Sequence, residues 1–101
     1  MHRLHAVLIT VTCLTLGACA TPVPLALGAA QVRLTKNPAD MATCKPVGNI
    51  RVPEMPLGFS VDVENSERVF RNQVVGFGGN AALVTLVQLG ALSQGVAYQC
   101  P

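Results

Sequence analysis

The placement of four cysteines constrains this chain more than any other feature. Cys13 and Cys19 fall in the first 20 residues, and that stretch has its own grammar. Met1-His2-Arg3-Leu4-His5 is a short basic patch. Residues 6–16 (AVLITVTCLTL) carry no charge, and Gly17-Ala18-Cys19-Ala20 are small. Basic, then apolar, then small is the order of a secretory signal peptide. A bilayer-spanning helix takes roughly 20 apolar residues, more than this run supplies. Residues 1–18 are therefore expected to be a leader, and the rest an exported chain.

Cys44 and Cys100 are then the one pair left in the body of the chain, so connectivity is not ambiguous. An oxidising compartment favours a disulfide between them. In the chain-entropy model, closing residues 44 to 100 contributes on the order of 4 kcal/mol. The alternative is a redox-active or metal-binding pair. Redox cysteines usually sit as C-x-x-C, and zinc wants four Cys/His ligands. Both histidines, His2 and His5, lie in the leader. No metal site or cofactor is expected. Past a cut before Cys19, about 83 residues remain, near the size at which one core stabilises only marginally and a staple helps.

The leader has two readings at its end. Leu16-Gly17-Ala18-Cys19 resembles the lipobox of bacterial lipoproteins, in which the Cys thiol carries diacylglycerol and becomes the first residue. The resemblance implies Cys19 as the lipidated residue, with the bilayer as a partner. Each buried methylene of such chains contributes roughly 0.8 kcal/mol, so several chains anchor durably. Ala18-Cys19-Ala20 also fits the A-x-A site of ordinary signal peptidase, which would release a soluble chain. Residues 19–30, Cys19 and the stretch ATPVPLALGAA, are expected to be a flexible tether. Pro22 and Pro24 favour extended backbone. Eleven such residues reach at most roughly 38 Å.

Residues 31–101 are expected to be the folded domain. Residues 31–36 (QVRLTK) alternate as a half-buried strand. Residues 37–40 turn. Residues 47–52 form a second strand, with a bulge expected at Gly48-Asn49, and Pro53 and Pro56 end it. Residues 62–76 carry the helix. Val63, Phe70, Val74 and Phe77 fall on one side, and Glu64, Glu67, Arg68 and Arg71 on another, read as a solvated face. Glu64–Arg68 and Glu67–Arg71 are favourable i,i+4 pairs. Val69 and Val75 sit off the apolar stripe. The run Gly76-Phe77-Gly78-Gly79-Asn80 stops the helix. It closes a helix rather than opening one, the wrong order for a phosphate loop. Residues 81–89 (AALVTLVQL) suit a central strand covered on both faces or one packed under the helix. Residues 90–94 turn, and residues 95–100 form the last strand of a hairpin.

The order β-β-α-β-β gives an α+β fold, a small two-layer domain with one helix packed on a sheet of about four strands. If the second and third strands are parallel neighbours, the helical crossover between them is right-handed.

From Val32 to Pro101 the chain resembles a family of small bacterial envelope lipoproteins of unknown function. The matching segments are VRLTKNPAD, the CKPVGNI block, RNQVVGFGGNAALV and the closing GVAYQCP. It also looks like a distant relative of the outer-membrane lipoprotein that senses envelope stress for the Rcs phosphorelay. The shared frame is a Cys, a Gly turn, a helix ending in Gly-x-Asn, a strand, and late Cys residues. These resemblances imply a lipid-anchored, disulfide-bearing α+β domain without known catalysis. The sensor has two disulfides and a long charged linker, and this chain departs from both, which argues against a signalling role. Ala20, rather than Asp, after Cys19 implies sorting to the outer membrane.

Catalytic groups are sparse. Past the leader there is no His to serve as base for a Ser nucleophile, and no Ser sits in a nucleophile elbow. Glu54 and Asp62, flanking the proline loop, are the one carboxylate pair worth weighing for glycan chemistry. Net charge is +2 overall and +1 without Arg3, with basic residues scattered. That excludes a nucleic-acid footprint. The expected function is a non-enzymatic cell-envelope lipoprotein, anchored in the outer membrane and facing the periplasm as an accessory, binding or sensing module. The alternatives are a periplasmic thiol-redox factor and a glycan-binding protein. The candidate contact surface is the loop of Met55, Leu57 and Phe59, which either meets an envelope protein or glycan or caps the core.

Overall fold

The computed structural model describes residues 23–53 and 59–101, with residues 59–62 by backbone only. The strands and α-helix are β1 (Arg33–Thr35), β2 (Lys45–Arg51), α1 (Phe59–Gly76), β3 (Ala81–Gln88) and β4 (Ala91–Gln99), with short 3-10 turns at Ala29–Gln31 and Pro38–Met41. They form a small α+β domain with α1 packed on a four-stranded mixed sheet in the order β1-β3-β4-β2.

The long-range connections set that order. β1 pairs parallel with β3, from Arg33 opposite Ala81 to Thr35 opposite Leu83. β4 pairs antiparallel with β3 on one side and with β2 on the other. β2 and β3 thus run parallel but are not neighbours, because β4 lies between them. The condition for the adjacent parallel crossover is not met. β2 is an edge strand, and this explains how it holds Pro46, which cannot donate to a ladder. Its register shifts between Pro46 and Gly48, placing the irregularity at Val47.

α1 ends as its sequence requires. Gly78 sits at φ +80. The Gly79 N–H donates to the Val74 carbonyl and the Gly78 N–H to the Val75 carbonyl, both at 2.9 Å. These are the two bonds of a Schellman cap. The chain then enters β3 directly.

The core lies between α1 and the sheet. Phe70 and Val74 are fully buried there, against Ile50, Ala82, Val84 and Ala97. Val69 and Val75, off the stripe in sequence, also pack against this cluster. Phe70 needs a flat floor, and Gly95 of β4 supplies it. A Cβ on Gly95 would lie 2.6 Å from Phe70 Cζ and 2.5 Å from the Leu83 carbonyl oxygen. Gly48 plays the same part beneath the ring of Phe77. Phe77 lies past the helix end and stays 44% exposed.

Two expectations for the hairpin are corrected. β4 starts at Ala91, so residues 91–94 are strand rather than turn. The turn is Leu89-Gly90, with φ of 52 and 82. Positive φ at both central residues is what a type I′ turn requires. Leu is a poor turn residue, so the sequence pointed instead to the small and polar residues that follow. β3 is an interior strand packed under α1 at Ala82 and Val84, the second of the two readings its sequence allowed, but only over its first half. Ala81, Ala82 and Val84 are buried, but residues 85–88 are exposed. β1 is too short to flank the distal half of β3, and β2 releases β4 near Ser93. The hairpin therefore projects as a two-stranded ribbon, with register shifts around Leu86. Such bulges twist an open edge away from further pairing.

Leu89 is 88% exposed as well as left-handed. An L-residue in that conformation costs roughly 1–2 kcal/mol, and Asn tolerates it better. Leu89→Asn is expected to stabilise the domain by about 1 kcal/mol, raising Tm by roughly 4–8 °C. A calorimetric scan showing no rise would contradict this account of the turn.

Candidate functional site

The residues singled out from sequence divide between the ends of the domain. Cys19, Glu54, Met55 and Leu57 lie outside the described residues. Phe59 opens α1, and its side chain and that of Asp62 also lie outside them. The residues on either side of 54–58 are described. Pro53 follows β2, and Phe59 begins α1 about one turn before Val63.

At one end the structure brings Cys44 and Cys100 together, with sulfurs 2.02 Å apart and Cα atoms 4.3 Å apart. The bond ties the entrance of β2 to the exit of β4. Asn80 completes the tie. Its Nδ2 donates to the Cys100 carbonyl at 2.9 Å, and its Oδ1 accepts from the Cys100 N–H at 2.8 Å. A shallow cleft lined by Arg33, Asn80, Ala81, Cys100 and Pro101 opens beside it. Arg33 Nη2 is 3.8 Å from Cys100 Sγ. A guanidinium there would favour a thiolate if the bond were reduced.

Along α1 lies a feature the sequence did not announce. Residues 23–32, expected within a free tether or at the start of the domain, form a strap across the helix. The Val23 N–H donates to Asn65 Oδ1 at 3.0 Å, and Arg68 Nη1 donates to the Val23 carbonyl at 3.3 Å. The Ala26 N–H donates to Asn72 Oδ1 at 2.7 Å, while Asn72 Nδ2 donates to the Pro24 carbonyl at 2.9 Å. Arg71 Nη1 donates to the carbonyls of Ala29 at 3.3 Å and Val32 at 2.6 Å. Ala29 and Val32 are buried and anchor the strap's end. This corrects two readings together. Residues 23–30 are held against the helix, and the charged side of α1 is solvated only in part: Glu64 and Glu67 are exposed, while Arg68 and Arg71 hold strap carbonyls. The strap has no strand beside it, so its first amides and carbonyls take partners from side chains, and its end closes on itself in a 3-10 turn at Ala29–Gln31. Of the two ion pairs expected, Glu67–Arg71 forms at 3.5 Å, and Arg68 turns to the strap instead. A signal was present in the sequence. Asn65, Arg68 and Asn72 fall at i, i+3 and i+7, and two Asn are unusual inside a helix unless they have partners.

Asn72→Ala tests the strap. Losing its two bonds is expected to speed hydrogen exchange at Ala26 by about tenfold. Global stability should move by less than about 1 kcal/mol, because Ala is the better helix former. Unchanged exchange over residues 23–31 would mean the strap is held by other contacts.

The end opposite the disulfide exposes a group of apolar side chains among polar ones. Leu89 is at the hairpin tip, and Leu86 and Val87 are each 37% exposed in its β3 arm. Val63, 36% exposed on α1, closes on the tip, its Cγ2 3.7 Å from where a Gly90 Cβ would be. Among the described residues no helix is long and apolar enough to cross a membrane. No group of three or more metal-ligating side chains converges among them. Comparison with family models, with curated proteins and with solved structures finds no match for this chain.

Proposed function

We propose that this chain is a non-enzymatic accessory module of the bacterial cell envelope. Cys19 carries its lipid anchor, and the domain sits on the periplasmic face of the outer membrane. The observation that supports this is how soon after Cys19 the folded body begins. Val23 is already bonded to Asn65 and Arg68, so residues 20–22 alone separate a lipobox-like cysteine from the domain. The resemblance to small envelope lipoproteins supports the same reading, as does a disulfide, which persists in exported proteins. In this reading the contact surface toward an envelope protein or glycan is Met55, Leu57 and Phe59, in the segment between β2 and α1 and at the start of α1.

The test is fractionation with intact-mass analysis of the protein from its native membranes. Acyl mass on Cys19, and release of Cys19→Ser into the soluble fraction, are the expected results. A wild-type chain without acyl mass overturns the reading.

A second reading is favoured by one observation, the Arg33 guanidinium beside Cys100 Sγ. A thiol-redox factor would have an accessible, readily reduced bond. A reduction potential below about −300 mV marks the bond as structural. Arg33→Ala leaving the rate of reduction unchanged would also count against redox use.

A further inference from the structure

The strap shortens the leash. Were residues 20–30 free, the domain could roam through roughly 38 Å. With Val23 held on α1, the link from Cys19 reaches at most about 14 Å. Val23 docks beside Asn65, two residues from Val63, and Val63 packs at the Gly90 turn. The short link therefore delivers one particular end of the domain to whatever Cys19 is anchored in. That end is the exposed hairpin tip, Leu86, Val87 and Leu89, with Val63 beside it. The disulfide lies at the far end of β4, whose nine residues span about 30 Å.

We infer that the apolar tip rests in the headgroup region of the bilayer that holds the anchor, as a second, non-covalent contact. This rests on the lipid-anchor reading above. Chain length argues for lipid as the occupant, because an anchored domain on so short a link meets the bilayer before any other partner. Leu89 is consistent with that contact: the turn keeps a strained, exposed leucine where Asn would be both unstrained and soluble. Glu64 and Glu67 are exposed on the same half of α1, so the attraction is apolar rather than a pull toward anionic lipid. An amphipathic surface of this kind binds weakly by itself and gains from being tethered.

The chain contains no tryptophan, so one substitution makes a site-specific reporter. Leu89→Trp, and Gln99→Trp at the disulfide end, are made in the full chain. Both are extracted from membranes and reconstituted into phosphatidylcholine vesicles with and without brominated acyl chains. Val87→Trp is the second tip reporter should tryptophan disturb the left-handed turn. Tip tryptophans are expected to emit to the blue of Gln99→Trp and to be quenched several-fold more. Leu89→Asn in the Val87→Trp background should reduce that quenching while Tm rises, a divergence that a purely structural role for Leu89 does not produce. Intact mass is read on every sample. Acylated protein whose tip is quenched no more than residue 99 overturns this inference and leaves the anchor reading standing. Protein without acyl mass overturns both.

Discussion

Replacing Cys44 and Cys100 together by Ser is expected to lower the unfolding free energy by about 4 kcal/mol. The bond closes a loop with a sequence separation of 56, and most of that chain would regain freedom in the unfolded state. Domains of this size are held by roughly 5–15 kcal/mol in total, so the variant would lie near its threshold at 37 °C. The loss should be felt first at the C-terminal end of β4. There the remaining ties are the Asn80 amide bonds and the ladders to β2 and β3. Urea titration of oxidised wild type against the double variant measures the effect. A difference below about 1 kcal/mol would falsify the view that the bond is a main support.

Phe70→Ala is expected to cost about 3–5 kcal/mol. The ring is fully buried and lies on Gly95, between α1 and the centre of the sheet. The neighbouring floor is backbone and alanine, from Ala82 and Ala97, so little can move in to fill the cavity. The reciprocal change, Gly95→Ala, is expected to cost about 1–3 kcal/mol by overpacking. The pair should couple. In a Phe70→Leu background the ring atoms nearest the new methyl are gone, so Gly95→Ala should be less harmful there. The Leu83 carbonyl oxygen still crowds it and keeps the rescue partial. Strict additivity of the two changes in a double-mutant cycle would show that ring and glycine do not oppose each other.

How much of this was legible beforehand differs by element. α1 was legible because Phe70 and Val74 repeat at helical spacing and a glycine run follows. The Schellman cap at Gly78 is the local chemistry such a run encodes. β1 and β2 were legible within a few residues because alternation is written into short stretches. β4 was read four residues short, since Leu89 carries no turn signal and the residues after Gly90 do. The candidate site was less legible. The strap on Asn65, Arg68 and Asn72 joins residues more than 40 positions apart, and nothing in residues 23–30 alone distinguishes a docked segment from a loose one. The apolar tip is exposed because β1 stops at Thr35 and β2 leaves β4 near Ser93, so the far half of the β3–β4 hairpin has no strand on either outer edge.

Read alone, the amino acids determined the kinds of element, their order along the chain and the α+β class, because each of these rests on spacing within some 4 to 18 residues. Tertiary structure decided that β4 lies between β2 and β3, that Gly48 and Gly95 floor two aromatic rings, and that a would-be tether is strapped to the helix. Those outcomes depend on which distant surfaces meet. A single sequence holds that information only as a sum of many weak pairings, resolved when the chain closes on itself.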